Sequence, residues 1–237
     1  MEQSKSAVKL ADHFLVGSAA SGHDFVQNMY GMYIRFEQNI ESNIPNLIIS
    51  NDAYKAKYKP LVSTSIGHQP VGDTVNADII KQGQEAGHCE PEQLMRITRD
   101  YKDVLVSLWK THTPHIRWKE FKEGPLGFPL IAAFEEDAAK FEYSVVISYE
   151  ELVKSPQQVL TSVIHHLLPV EGNEELESFG AVRRDISLSA VDRVVEESQV
   201  RTLREGNVAG MLDSVGIHKQ YLTEDNISEV EEFVANL

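Results

Sequence analysis

Residues 13–30 read HFLVGSAASGHDFVQNMY, and this stretch decides the fold class. It begins with the short apolar run His13 to Gly17, which is typical of a buried strand. Small residues follow, and from Ser21 onward apolar side chains recur at helical spacing: Phe25, Met29, Met32 and Phe36. The pattern predicts a strand, a tight turn and a helix from Ser21 to Phe36.

Further short apolar runs predict three more strands, at Leu61 to Ser65, Leu94 to Thr98 and Ser144 to Ser148. Helical patterns lie between and after them. The first of these helices is capped by Asp100, has Asp103 in its first turn, and carries four apolar residues on one face: Val104, Leu105, Leu108 and Trp109. Three more helices are predicted at Pro156 to Leu168, Val191 to Leu203 and Ile227 to Val234. Alternating strands and helices favour an α/β fold in three layers, with a central parallel sheet flanked by helices.

Composition narrows the class of protein. The 237 residues are 42% apolar, without a Pro/Gly/Ser-rich linker, so we expect one domain over residues 1–237. A net charge of −14 disfavours nucleic acid and anionic membranes as partners. The single cysteine, Cys89, cannot form an internal disulfide, and neither a signal-peptide pattern nor a spanning apolar segment occurs. We expect a cytoplasmic protein.

The turn after the first strand has the composition of an anion site. Small residues from Gly17 to Gly22 let the backbone approach an anion closely, and the N-terminus of the following helix supplies partial positive charge. The turn lacks the Gly-Lys-Ser/Thr of a Walker loop. Alone, it is also compatible with a turn that only allows close packing.

This turn resembles the 5′-phosphosulfate loop of sulfotransferases, Pro-Lys-Ser-Gly-Thr-Thr-Trp after an apolar strand. Ser21 and Gly22 match that pattern. The positions of the proline, the lysine, the two threonines and the tryptophan are taken by Ala19, Ala20, His23, Asp24 and Phe25. The resemblance implies a P-loop-type nucleotide-binding fold that binds 3′-phosphoadenosine-5′-phosphosulfate (PAPS) through residues 18–25, Ser18 included, and releases PAP as product.

A second segment, RDYKDVLVSLW from Arg99 to Trp109, is similar to the family's Arg-Asn-Pro-Lys-Asp-x-x-Val-Ser. The resemblance implies that Arg99 and Ser107 hold the 3′-phosphate of the donor. A guanidinium offers a planar set of donors, and a hydroxyl adds one more. From the residues alone, Arg99 could instead pair with Asp103, with Ser107 on the helix surface.

Two later segments resemble further parts of the nucleotide site. SYEELVKSP, residues 148–156, places Tyr149 against the adenine. REGNVAGML, residues 204–212, resembles a loop that closes over the 3′-phosphate, with Arg204, Glu205 and Gly206 at its start. Just upstream, Ser198 falls in a segment that contacts adenine in the family.

Sulfuryl transfer needs a base for the acceptor and positive charge at the leaving oxygen. STSIGHQP, residues 63–70, resembles the family's Lys-Thr-His-x-Pro turn, which implies that His68 is the base. Ala20 replaces the catalytic lysine of the loop. A protonated His23, Arg96 or a lysine from Lys55–Lys59 could replace its charge.

Three functions remain open from the sequence. The first is PAPS-dependent transfer of a sulfuryl group to a hydroxyl or amine of a small-molecule or glycan acceptor. The aromatic stretch His112 to Pro129 would line the acceptor mouth or be a surface loop anchored by one or two of its aromatics. The second is a non-catalytic relative that binds PAPS or PAP. The third is an ATP-dependent enzyme, which the missing Walker lysine disfavours. No spacing of histidines, acids and the lone cysteine indicates a metal site.

Overall fold

The computed structural model contains the predicted parallel sheet. It describes residues 13–37, 61–64, 94–167, 186–198, 200–201 and 214–237, with two isolated helical positions at 81 and 85. The strands are β1 (His13–Gly17), β2 (Leu61–Thr64), β3 (Leu94–Thr98) and β4 (Val145–Ser148). All neighbours pair in parallel, in the order β2-β1-β3-β4. The four predicted strands are therefore confirmed, and β1 lies at the centre, between β2 and β3.

Helices connect and follow these strands. Their bounds are α1 (His23–Glu37), α2 (Tyr101–His112), α3 (Trp118–Glu123), α4 (Phe128–Ala138), α5 (Tyr149–Lys154), α6 (Pro156–Leu167), α7 (Leu188–Glu197) and α8 (Glu224–Ala235), with a 3₁₀ turn at Ile217–Gln220. Among the described residues, none of these helices has the length and apolar character needed to cross a bilayer.

Alternation along β3 divides the helices between two faces of the sheet. Met95 and Ile97 are buried in an apolar cluster with α1, α6 and α7. Arg96, which points to the opposite face, pairs with Glu135 of α4. Because successive side chains of a strand point to opposite faces, this arrangement places helices on both sides. The predicted α/β class, a parallel sheet flanked by helices, is confirmed.

The start of α2 agrees with the prediction in one respect and differs in another. Asp100 caps the helix, and its Oδ1 accepts a hydrogen bond of 2.9 Å from the Lys102 amide. Asp103 lies in the first turn, but its carboxylate is 1% exposed and is bound by residues of the C-terminal region. The predicted place of Asp103 in the first turn is therefore correct, but its burial and its distant partners were not predicted.

The helix predicted from Val191 to Leu203 is not continuous. Helix α7 begins earlier, at Leu188, because the Ser187 side chain caps it by accepting from the Ala190 amide. It ends at Glu197, where Ser198 has extended backbone angles of φ −86° and ψ 161°. Helical backbone reappears at residues 200–201. The prediction missed the interruption at Ser198.

Two of the three aromatic rings between residues 112 and 129 that the sequence singled out are buried. Trp118 and Phe121 lie on α3, are 7% and 3% exposed, and contact the ring of Trp109. Phe128 stacks on Phe233 of α8, with ring centroids 4.2 Å apart. The prediction that this stretch is a loop whose aromatics line an acceptor mouth was wrong for Trp118 and Phe121, because helix α3 buries them against α2. Phe128 is only partly buried, and its contact with an acceptor stays a prediction.

Candidate anion-binding site

The turn between β1 and α1 has a defined backbone. The Ser21 amide donates to the Ser18 carbonyl at 3.1 Å, and the Gly22 carbonyl accepts from the amides of Phe25 and Val26. Ala20 and Gly22 have positive φ angles of 59° and 90°. Gly22 therefore ends the turn and precedes the first residue of α1, His23. The helix begins two residues later than predicted because a left-handed Gly22 cannot belong to it.

Several backbone amides of this turn are available to a ligand. Within the part of the chain that the structure describes, the N–H groups of Ala19, Ala20, Gly22 and His23 donate to no protein acceptor. The amides of Gly22 and His23 lie where the start of a helix leaves its N–H groups unsatisfied and the helix dipole is positive, and those of Ala19 and Ala20 lie in the turn that leads into it. Neutral donors together with that partial charge favour an anion.

Two glycines allow the turn to pack this tightly. A Cβ on Gly17 would collide with Ser21 Oγ and would lie 2.7 Å from Ile97 Cγ2. A Cβ on Gly22 would lie 2.6 Å from Cδ2 of Tyr149. Positive φ at Gly22 adds a conformational reason for glycine. The turn is thus seated between the end of β3 and the ring of Tyr149.

Arg99 lies beside this turn. It follows β3, the neighbour of β1, and is 5% exposed. Its Nη1 donates to the Ala20 carbonyl at 2.8 Å, and its Nη2 donates to the Ser214 carbonyl at 3.4 Å. The guanidinium carbon lies 4.7 Å from the centroid of the Tyr149 ring. The structure therefore brings together the turn and the guanidinium that the sequence placed in one site.

The alternative pairing of Arg99 with Asp103 was wrong. The carboxylate of Asp103 accepts from the Gly216 and His218 amides at 2.6 and 3.0 Å, and its Oδ1 lies 2.5 Å from Nδ1 of His218. Ser107, one turn further along α2, is 4% exposed, so it is not a surface residue either. Both predicted 3′-phosphate residues are thus buried, and their proposed contacts with phosphate stay predictions.

The segment after β4 supports the site. Tyr149 is 2% exposed and lies against both Gly22 and the Arg99 guanidinium. The Glu150 carboxylate joins two strand ends, because Oε1 accepts from the Asp100 amide and Oε2 from the Ser148 hydroxyl, each at 2.8 Å. Glu150 was not predicted as a site residue. The predicted contact of Tyr149 with adenine stays a prediction.

His23 is poorly suited to carry the missing positive charge. Its Nδ1 lies 3.3 Å from Ser21 Oγ. Burial lowers the pKa of His23 below its usual 6.5, and this effect outweighs the opposing influence of Asp24 and of a hydrogen bond with the Ser18 backbone. The imidazole is therefore mainly neutral at pH 7, so without a bound anion it can act as a neutral donor but not as a cation.

Arg96 is occupied elsewhere. Its guanidinium pairs with Glu135, which also accepts from the Tyr101 hydroxyl. The guanidinium carbon of Arg96 lies 5.6 and 5.7 Å from the ring centroids of Phe134 and Tyr143. These partners hold Arg96 on the α4 face of the sheet. The suggestion that Arg96 replaces the loop lysine was wrong.

The remaining predicted site residues have no described contact with this cluster or fall outside the described residues. Ser198 follows α7, and its hydroxyl donates to the Val195 carbonyl at 3.4 Å. Five predicted positions or ranges fall outside the described residues: His68, Arg204, Glu205, Gly206 and Lys55–Lys59. In the described ranges, no group of three or more His, Cys, Asp or Glu side chains could hold a metal ion.

The lowered pKa of His23 has a consequence for stability. The pKa of His23 in the folded protein lies below the value of 6.5 in the unfolded chain. At pH values between these two pKa values the unfolded chain binds more protons, so the free energy of unfolding should rise with pH in that range. This contribution is complete above pH 6.5 and is lost as the pH falls through the folded pKa. Urea denaturation at several pH values should show the slope, and His23→Gln should reduce it. An NMR titration giving a His23 pKa above 6.5 would contradict the prediction.

The fold and the turn define an α/β protein in which a short loop bounded by glycines leads from a central strand into a helix. No protein-family model matches the chain, and no curated protein matches it. Among solved structures, it is similar to the mouse sulfotransferase SULT7A1 complexed with PAP, at 15% identity and a TM-score of 0.48, over 94% of this chain and 82% of that chain. The identity is too low to assign a role to any side chain.

Proposed function

We propose that this chain binds PAPS and transfers its sulfuryl group to a hydroxyl or amine of a small-molecule or glycan acceptor. The observation that carries the proposal is the hydrogen bond of 2.8 Å between Arg99 Nη1 and the Ala20 carbonyl. It joins a buried cation to a turn with unoccupied amides, at the ends of two adjacent parallel strands. Ligands of such sheets bind at that edge.

The two halves of the site suit a ligand with two phosphate groups. In our proposal, residues 18–25 hold the 5′-phosphosulfate, chiefly through the four amides that donate to no described protein acceptor. Arg99 and Ser107 hold the 3′-phosphate. Residues 204–206 close over the 3′-phosphate, and Tyr149 and Ser198 contact the adenosine. Support comes from the order of the elements, since the turn and Arg99 follow neighbouring strands, β1 and β3. A guanidinium binds a phosphate by charge-assisted hydrogen bonds, which are stronger than neutral ones.

The proposed reaction moves one proton and one sulfuryl group. His68 accepts the proton of the acceptor hydroxyl or amine, whose oxygen or nitrogen forms a new bond to sulfur. The bond between sulfur and the bridging 5′-phosphate oxygen breaks, and the electron pair leaves with PAP. Negative charge grows on that oxygen, so positioned donors and cations near the turn accelerate the step.

A second candidate function is binding of PAP or PAPS without transfer. Two observations favour it: burial lowers the pKa of His23, and Arg96 is paired with Glu135. Neither side chain therefore supplies the positive charge of the loop lysine, whose position Ala20 takes by the resemblance. Loss of one positioned donor of this kind typically lowers the rate by about 10² to 10³.

Nucleotide binding is tested by a thermal-shift assay with PAP and, separately, with ATP and Mg²⁺. At 100 times Kd a ligand stabilises a protein by about 2.7 kcal/mol. For a chain of this size, that corresponds to a rise in Tm of roughly 5 to 10 °C. We expect this rise with PAP and not with ATP and Mg²⁺. A shift with ATP and Mg²⁺ alone would contradict the proposal and favour a triphosphate-dependent enzyme.

Transfer is tested separately, with sulfur-labelled PAPS and a panel of phenols, alcohols, amines and sugars. Labelled product from any acceptor supports the sulfotransferase. If PAP raises the Tm but no acceptor is labelled, the chain is a nucleotide-binding protein without transferase activity.

A further inference from the structure

A buried carboxylate ties the C-terminal region to helix α2. Both oxygens of Asp103 are occupied: Oδ2 accepts from the Gly216 amide at 2.6 Å, and Oδ1 accepts from the His218 amide at 3.0 Å. Nδ1 of His218 also lies 2.5 Å from Oδ1. Asp103 and His218 are 1% and 6% exposed. Hydrogen bonds to a charged group in such an environment are strong, so this contact fixes the backbone from Gly216 to His218.

A partner of Arg99 lies just before this fixed segment. Ser214 precedes Gly216 by two residues, and its carbonyl accepts from Nη2 of Arg99. The other side of the same guanidinium is held by the Ala20 carbonyl and the Tyr149 ring. Asp103 is therefore connected to Arg99 only indirectly, through the backbone between Gly216 and Ser214.

We propose that Asp103 is a positioning residue for the 3′-phosphate of the bound nucleotide. It holds the segment 214–218 so that the Arg99 guanidinium is oriented between that segment and the turn after β1. The inference rests on the proposed function, since it concerns the same nucleotide site. It adds a residue that favours binding of PAP over adenosine 5′-monophosphate without contacting either ligand.

Asp103→Asn changes this contact at one atom. The amide oxygen of asparagine can still accept from the His218 amide, but its NH₂ group would then face the Gly216 N–H, and two donors repel each other. The segment must shift at Gly216, close to the Ser214 carbonyl. His218→Asn removes only the ring contact and keeps both backbone hydrogen bonds to the carboxylate, so its effect should be smaller.

The test measures Kd by calorimetry for PAP and for adenosine 5′-monophosphate, in the full chain and in three variants. The readout is the Kd for adenosine 5′-monophosphate divided by the Kd for PAP. This ratio reports how much the 3′-phosphate contributes to affinity. Loss of a hydrogen bond to a charged group should lower that ratio about tenfold in Asp103→Asn and about threefold in His218→Asn. The Kd for the monophosphate should stay unchanged.

Glu135→Gln is the matched control, because it converts another largely buried carboxylate of an ion pair to an amide. We expect it to lower the Tm and leave the ratio unchanged. If Asp103→Asn does not fold, His218→Asn decides the question. An unchanged ratio in the folded variant, or equal weakening of both ligands, would overturn the inference. Failure of the unaltered chain to bind PAP would overturn the proposed function as well, so the two failures are distinguishable.

Discussion

Replacing Arg99 with alanine is expected to abolish the rise in Tm that PAP produces. Several charge-assisted hydrogen bonds from a buried guanidinium to a phosphate should contribute about 3 kcal/mol, which corresponds to roughly a 100-fold loss of affinity. The loss should be concentrated in ligands with a 3′-phosphate, since the turn after β1 is proposed to hold the 5′-group. Calorimetry with PAP and adenosine 5′-monophosphate measures both effects.

Two control variants define the role of Arg99. Arg117→Ala removes a guanidinium whose side chain is 84% exposed, and it should leave PAP affinity unchanged. Arg99→Lys keeps the charge but loses the planar pair of donors that reaches the Ala20 and Ser214 carbonyls, so it should recover only part of the affinity. If Arg99→Ala binds PAP within a factor of about two of the unaltered chain, the assignment of the 3′-phosphate site is wrong.

Ala20→Lys is the second change with a large expected effect. By its resemblance to the sulfotransferase loop, Ala20 takes the position of the lysine, and under the proposed function a cation there would stabilise the charge that grows on the leaving oxygen. Supplying one such donor should raise the rate of sulfuryl transfer by about 10² to 10³. The backbone at position 20 has a positive φ of 59° although its residue is alanine and not glycine. The conformation is therefore one that a residue with a Cβ already adopts there.

Ala20→Met controls for the length of the new side chain without adding charge. We expect Ala20→Lys to raise the rate of labelled product formation from PAPS and Ala20→Met to leave it unchanged. Both variants should bind PAP. An equal rate in the lysine and methionine variants, with PAP bound, would show that the turn does not hold the reacting sulfate.

Local pattern was enough to predict most regular elements. β1 and β3 are short apolar runs in a parallel sheet covered on both sides, so nearly every side chain is buried and the run is visible in the sequence. The Asp100 cap depends on an amide two residues away and is equally local. The break at Ser198 was missed because the apolar periodicity continues through Val200, which is buried although the helix is interrupted before it.

The candidate site was only partly predictable, because most of its contacts join residues that are far apart in the sequence. Topology brings the turn and Arg99 together, because they follow adjacent parallel strands. The acceptors of Arg99 were not predicted, and neither was the pairing of Asp103 with His218, which lies 115 residues further along the chain. Similarly, the burial of Trp118 and Phe121 depends on their packing against Trp109. Spacing alone cannot distinguish such aromatics from those of a surface loop.

The sequence by itself determined the parallel α/β arrangement and the small-residue turn between β1 and α1, since apolar periodicity and small residues act within one segment of chain. Tertiary structure alone decided that the Arg99 guanidinium lies between the Ala20 and Ser214 carbonyls, and that Asp103 holds the segment from Gly216 to His218. Those contacts join residues about 80 to 115 positions apart. They exist because burial leaves polar groups without water and requires each to find a partner wherever the packed chain supplies one.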